Sequence, residues 1–191
     1  MRYEAIVIGI SSGGMNLLKI MFSSLPAYFN TPIIIVQHVG ANSNSKWIKL
    51  LNEKSNLILK EADEKEKIEK GTVYFAPPNY HLLIEKDKTF SLTIDERVNF
   101  ARPSIDVLFE SAAEAYKHTL IGIVLTGSNN DGTQGLKRIK ECGGLIIIQD
   151  PTTAESPYMP LSALTAVESD HILSIENIIA LLIALDVKKT E

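Results

Sequence analysis

The sequence contains a single cysteine, Cys142, so no disulfide can form within the chain and the paired cysteines of structural zinc sites are missing. It also lacks an H-E-x-x-H metal motif and a G-x-x-x-x-G-K-[ST] phosphate loop. The longest apolar run, residues 178–185, is far shorter than the ~20 residues of a membrane-spanning helix. Basic residues are not in excess, since the net charge is −4. We therefore expect a cytoplasmic protein without metal, cofactor, membrane insertion or nucleic-acid partner.

Apolar runs of strand length alternate with segments of helical periodicity along most of the 191 residues, which favours one domain spanning 1–191. This alternation predicts an α/β fold with a doubly wound, mostly parallel sheet and helices on both faces. Residues 81–85 and 89–94 flank Lys86-Asp87-Lys88 and predict an inserted β-hairpin. The other predicted strands are 5–8, 32–36, 57–59, 72–76, 121–125, 145–148 and 171–173; the predicted helices are 15–25, 47–51 (with Ser43 or Ser45 as its cap), 103–116, 133–142, 160–167 and 176–185.

The first predicted strand leads into a turn of small residues, Gly9-Ile10-Ser11-Ser12-Gly13, and then into a helix. The turn matches the G-x-S-x-G pattern that presents a nucleophilic serine between a strand and a helix. Exposed amides at the start of the following helix can receive an anion. That anion is either a bound phosphate or the oxyanion of an acyl-transfer intermediate formed by the serine.

Three residues that suit nucleophilic catalysis follow strands of the predicted sheet. Ser11 follows the first strand, His38 the second, and Asp131 the strand at 121–125. Histidine can take the serine proton near neutral pH, and a carboxylate can orient the imidazole. His81 is a rival base and Asp150 a rival acid, because each also lies beside a strand end. The spacing permits a Ser-His-Asp triad without selecting its members.

Several longer motifs occur in a fixed order between residue 6 and about residue 185. They are Gly9-Ile10-Ser11-Ser12-Gly13-Gly14, Val36-Gln37-His38, Val73-Tyr74-Phe75-Ala76-Pro77, Arg102-Pro103-Ser104-Ile105-Asp106, Leu125-Thr126-Gly127, Asn130-Asp131-Gly132 and Gln149-Asp150-Pro151. In these motifs the sequence resembles the catalytic domain of the CheB-type chemotaxis receptor methylesterases, which are protein-glutamate methylesterases and glutamine deamidases.

The resemblance implies a role for each candidate residue. Ser11 would be the nucleophile, His38 the base and Asp131 the orienting acid, with His81 and Asp150 as supporting residues. Backbone amides near Ser12 and Ser128 would hold the oxyanion. No cofactor or metal is implied, and the substrate would be methylated glutamyl side chains on the cytoplasmic helices of chemoreceptors.

The chain departs from the family pattern along the expected substrate groove. The family usually has threonine at Ser12, often methionine at Ser128, and arginine at Leu161; residues 40–44 replace a proline-rich loop.

A rival hypothesis is a non-catalytic receptor-docking or phosphate-binding module on the same fold. Because the first strand begins by residue 5, the sequence also predicts no receiver domain of about 100 residues before it. We expect the edge of the sheet that carries the active site to be uncovered. We also expect that phosphorylation of this chain does not activate the protein.

Overall fold

The computed structural model describes residues 3–39 and 46–187, and its centre is a seven-stranded parallel sheet. The two serines predicted to cap the second helix, Ser43 and Ser45, and the replaced loop at 40–44 lie outside the described residues. The strands of this sheet are β1 (Ala5–Ile10), β2 (Ile33–Gln37), β3 (Ile58–Glu61), β4 (Thr72–Phe75), β7 (Leu120–Val124), β8 (Leu145–Gln149) and β9 (His171–Leu173). Their order in the sheet is β3-β4-β2-β1-β7-β8-β9.

Helices cover both faces of the sheet, as the doubly wound prediction requires. They are α1 (Gly14–Ser24), α2 (Lys46–Asn52), α3 (Ile105–Tyr116), α4 (Thr133–Glu141), α5 (Tyr158–Ala166) and α6 (Ile175–Val187). One apolar core lies between the sheet and α1, α2 and α6, and the other between the sheet and α3, α4, α5 and the hairpin. No helix among the described residues is both long and apolar enough to cross a membrane.

The predicted hairpin is present as an antiparallel pair, β5 (His81–Ile84) with β6 (Phe90–Thr93). It forms a separate two-stranded sheet and packs on the core that contains α3. The α/β fold class, the parallel sheet and the inserted hairpin are therefore confirmed.

Strand β1 lies between β2 and β7, and its side chains alternate between the two cores. Ile6, Ile8 and Ile10 pack toward α1 and α6, whereas Ala5 and Val7 pack toward α3. All of them are buried, which explains the unbroken apolar run, because a central parallel strand is covered on both faces.

The first strand is longer than the sequence predicts. The prediction that it ends at Ile8 is wrong, since Gly9 stays in register with Val36 on β2 and Val124 on β7. The strand continues to Ile10, so Ser11 is the first residue beyond it.

Glycines allow the start of α3 to approach the end of β1 closely. A Cβ built on Gly9 would lie 2.4 Å from Cγ2 of Ile105, and one on Gly132 would lie 2.7 Å from the same atom. Ile105 is the first residue of α3 and is fully buried. The missing side chains therefore bring the N-terminus of α3 to the edge where Ser11 lies.

We expect Gly9→Ala to destabilise the protein by about 1–3 kcal/mol, because the added methyl overpacks against Ile105. Combining Gly9→Ala with Ile105→Ala should relieve the clash. The double variant should therefore be destabilised less than the sum of the two single variants, by about 1 kcal/mol or more. Urea unfolding of the two single variants and the double variant measures this coupling. Strict additivity would show that Gly9 does not set the position of α3.

Candidate active site

Ser11, His38 and Asp131 form a chain of hydrogen bonds at the carboxyl edge of the sheet. The Ser11 Oγ atom lies 3.2 Å from Nδ1 of His38, and Nε2 of His38 lies 2.9 Å from Oδ2 of Asp131. The imidazole is 14% exposed and the carboxylate is fully buried. An ionised carboxylate only accepts hydrogen bonds, so we assign the ring proton to Nε2. The lone pair of Nδ1 then faces the Ser11 hydroxyl.

Local contacts fix the backbone around Ser11. Its N–H donates to the carbonyl of Thr126 (3.0 Å), and its carbonyl accepts from Gln37 Nε2 (3.1 Å) and the Gly14 N–H (3.1 Å). Gly13 has φ +80°, a left-handed conformation that glycine adopts without strain, and it is the residue before α1. The nucleophile candidate is thus held at the start of a helix by groups from two neighbouring strands.

The fully buried Asp131 carboxylate accepts hydrogen bonds from the start of α3. Oδ2 accepts from the N–H of Ile105 (2.7 Å), and Oδ1 accepts from the N–H of Asp106 (3.1 Å) and Oγ of Ser104 (2.8 Å). Asn99 adds its side-chain amide to Oδ1 at 3.1 Å. The first N–H groups of a helix have no acceptor within the helix. They and the positive end of the helix dipole favour a carboxylate at this position.

These donors determine the ionisation of Asp131. Burial alone would raise the pKa of this carboxyl, but hydrogen bonds from His38, Ile105, Asn99 and Asp106 outweigh it. The pKa of Asp131 is therefore held below its usual value, and the group is a carboxylate at neutral pH. It can stabilise an imidazolium at His38.

A second buried carboxyl, Asp106, lies beside the first. Burial and the charge of Asp131 raise the pKa of Asp106 to about 6, although the N–H of Gly135 (2.7 Å) and the Asn99 amide (2.8 Å) oppose this. One amide nitrogen of Asn99 thus donates to both acids. Asp106 makes no hydrogen bond to His38, so of these two acids Asp131 is the one that can orient the imidazole.

Two asparagines at the site were not identified from the sequence as functional residues. Asn129 Nδ2 lies 3.1 Å from His38 Nδ1, the same atom that faces Ser11, and its Oδ1 accepts from the Asp131 N–H at 3.2 Å. Asn99, described above, reaches the site from a loop. Each lies outside any regular element, so no periodicity marked it.

The two rival residues lie elsewhere. His81 is buried, donates from Nε2 to the carbonyl of Glu96 (3.0 Å) and accepts at Nδ1 from the N–H of Ser104 (3.2 Å). Asp150 accepts from the N–H of Thr152 (2.9 Å) at the start of a short 3₁₀ turn. Neither contacts Ser11 or His38, and both stabilise local backbone.

A cavity of about 370 Å³ opens beside Ser11 and His38. Next to it, the hydroxyls of Ser12 and Ser128 share a hydrogen bond of 3.0 Å, which joins the turn after β1 to the loop after β7. The described residues contain no group of three or more His, Cys, Asp or Glu side chains that could hold a metal ion.

The raised pKa of Asp106 predicts a pH dependence of stability. The folded protein holds this proton more tightly than the unfolded chain, so the free energy of unfolding falls as the pH rises from about 4 to about 6. Asp106→Asn removes this titration, and the stability of wild type relative to the variant should fall by up to about 3 kcal/mol across that window.

Urea unfolding at pH 4.5, 5.5 and 7.5 measures this difference, with the exposed Asp63→Asn variant as the control. Parallel pH profiles for wild type and Asp106→Asn would contradict the assignment.

Comparisons with known proteins agree with this geometry. A protein from Leptospira interrogans, named "Putative protein-glutamate methylesterase/protein-glutamine glutaminase", is 59% identical over 191 residues, which cover 100% of this chain and 99% of that protein. A protein-glutamate methylesterase/protein-glutamine glutaminase from Maricaulis maris is 37% identical over 179 residues, 92% of this chain but only 45% of its own length. This chain therefore spans about half the length of that relative.

A solved structure gives the same result. The crystal structure of the Thermotoga maritima CheB methylesterase catalytic domain matches with a TM-score of 0.91 and 34% identity, over 97% of this chain and 100% of that one. The sequence profile described as CheB methylesterase matches residues 6–182. On these matches, the chain belongs to the CheB methylesterase family.

Proposed function

We propose that this methylesterase hydrolyses γ-methyl esters of glutamyl side chains on chemoreceptor helices and releases methanol, with Ser11 as nucleophile. The observation that carries the proposal is the Ser11–His38–Asp131 chain, with contacts of 3.2 and 2.9 Å, beside an open cavity. Its relatives are named protein-glutamate methylesterases, which supports the choice of ester.

In the acylation step, Nδ1 of His38 takes the proton of the Ser11 hydroxyl while Oγ attacks the ester carbonyl. The imidazolium that forms is stabilised by the buried Asp131 carboxylate at Nε2. His38 then returns its proton to the methoxy oxygen, so methanol leaves and a glutamyl ester of Ser11 remains.

Backbone amides of Ser12 and Ser128 are the proposed oxyanion donors. Among the described residues, neither amide donates a hydrogen bond, so both remain available to a developing negative charge. Each well-placed donor could lower the barrier by about 3 kcal/mol. The hydroxyl pair of the same two serines holds the two loops in register.

Deacylation uses the same groups. Water takes the place of methanol and attacks the acyl carbon while His38 accepts its proton. The bond to Ser11 Oγ then breaks, His38 returns the proton to Oγ, and a free glutamate remains on the substrate. A glutamine side chain can follow the same route with ammonia as the leaving group, so we include glutamine deamidation in the proposal.

The rival hypothesis is a receptor-docking or phosphate-binding module without catalysis. Docking alone does not require an imidazole aligned between a hydroxyl and a buried carboxylate, whose desolvation is costly. The hydrogen-bonded chain therefore supports catalysis over simple binding.

We expect Ser11→Ala and His38→Ala each to lower turnover of methyl-labelled receptor by at least about 10³-fold, because proton transfer and nucleophilic attack act as one unit. Release of volatile labelled methanol is the measurement. His118→Ala, an exposed histidine away from the site, is the control and should keep wild-type turnover. Full turnover by Ser11→Ala would reject the nucleophile.

Asp131→Asn should lower kcat by up to about 10⁴-fold with a small change in KM, because an asparagine no longer fixes the imidazole tautomer. It should also lower stability, since Asp131 accepts several buried N–H donors. Kinetics on protein shown to be folded by circular dichroism separate the two effects. Asp150→Asn is the matched control, and equal losses in both would assign the wrong acid.

A further inference from the structure

One wall of the catalytic cavity is a loop that we call the strap, residues 94–103, and its backbone is tied down at several points. Arg102 donates from Nη1 to the carbonyls of Ile94 (2.6 Å) and Asp95 (2.9 Å). Val98 and Ala101 exchange two backbone hydrogen bonds of 3.2 and 2.9 Å. Between these points, Nε2 of His81 donates a hydrogen bond to the carbonyl of Glu96. Hydrogen bonds along its length therefore hold the strap in place as part of the cavity wall.

The middle of the strap is fastened to the catalytic acid itself. Asn99 donates to both Asp131 and Asp106, at 3.1 and 2.8 Å. Asn99 has φ +49° and the next residue, Phe100, has φ +62°. These two residues are the central pair of the tight turn closed by Val98 and Ala101, and positive φ at both central positions is what a two-residue hairpin turn requires.

Phe100 points its ring into solvent. It is 95% exposed although it lines the cavity beside Ser11. The turn accounts for its backbone conformation, but nothing in the core accounts for the position of the ring, which contacts little of the protein. An aromatic side chain displayed at the wall of such a cavity is available for contact with a ligand.

Arg97 is the neighbouring displayed side chain. Its only hydrogen bond within the described residues is a long one, 3.4 Å, from Nη1 to the Phe100 carbonyl. Among the described residues, the cavity is lined by Arg97 and Arg102 and by no aspartate or glutamate. Nη1 of Arg102 is held by two backbone carbonyls and its side chain is half-buried, whereas Arg97 is exposed. Arg97 is therefore the more accessible of these two cations to a partner.

We propose that Arg97 and Phe100 form a recognition edge for a helix that carries a free carboxylate one turn away from its esterified glutamyl side chain. The ester would enter the cavity, Arg97 would pair with the neighbouring carboxylate, and Phe100 would pack on the helix stem. Side chains three or four residues apart on a helix lie on the same face, about 5–6 Å apart, and Ser11 and Arg97 line the same cavity, so one helix can present the ester to Ser11 and the carboxylate to Arg97. This inference rests on the proposed function for its ester substrate.

Two fluorescein-labelled helical peptides test the edge. Each carries one γ-methyl glutamyl residue. The positions four residues before and four residues after it are Glu in one peptide and Gln in the other. Anisotropy titrations use the Ser11→Ala protein, which binds without turnover. We expect the Glu peptide to bind about two- to fivefold more tightly, the range of an exposed ion pair, and less so at high salt.

Arg97→Gln should reduce this ratio to one, while Arg138→Gln, the same change at an arginine outside the cavity, should keep it. Phe100→Ala should weaken both peptides by a similar factor of about five or more, and Tyr28→Ala, an exposed aromatic elsewhere, should not. If Ser11→Ala folds poorly, the kcat/KM ratio of the two peptides with Ser11 intact gives the same comparison.

Equal binding of the two peptides, or a Glu preference that survives Arg97→Gln, would overturn the recognition edge. Unchanged binding in Phe100→Ala would overturn the role of the ring. The proposed function fails separately: Arg97-dependent binding without methanol release from the Ser11-intact protein would reject the esterase and still support the edge.

Discussion

The buried negative charge of Asp131 is the constraint on which the site depends. A carboxylate without solvent exposure must be compensated by hydrogen bonds, and the first amides of α3 supply them. This requires α3 to begin next to the end of β1, which is sterically allowed because Gly9 and Gly132 leave room for Ile105. The catalytic acid candidate is therefore also the cap of a helix that it does not belong to. Packing of α3 and orientation of the imidazole depend on the same atoms.

Two acids at one helix end have opposite pKa shifts because their surroundings differ. Asp131 accepts from His38 and several N–H groups and keeps its charge, whereas Asp106 has fewer donors and experiences the charge of Asp131. Asn99 donates to both, so it reduces the repulsion between two carboxylates that would otherwise face each other. The acid whose pKa is lowered is the one that contacts the imidazole, which is the arrangement that a triad requires.

The apolar runs and the turn residues were enough to predict the parallel sheet, the hairpin and the edge at which Ser11 lies. They could not choose between His38 and His81 or between Asp131 and Asp150, and strand order explains why. His81 belongs to the hairpin, which is outside the main sheet. Asp131 follows β7, two strands from β2, or about 10 Å at the usual spacing, whereas Asp150 follows β8, one strand further away. Neighbours in the sheet are set by tertiary pairing, which spacing along a single chain does not encode.

The strap connects the proposed recognition of the substrate to the buried Asp131 carboxylate. Asp131 accepts a hydrogen bond from His38 on one oxygen and from Asn99 on the other, so His38 and the strap are held by the same carboxylate. His81, the histidine that looked like a rival base, donates to the strap and accepts from the N–H of Ser104 at the start of α3. It therefore connects the hairpin, the strap and the start of α3 without contacting Ser11. A substrate that moves the strap would also change the hydrogen bonding of Asp131, and this gives a physical route by which recognition at the cavity wall can affect the orientation of the His38 imidazole.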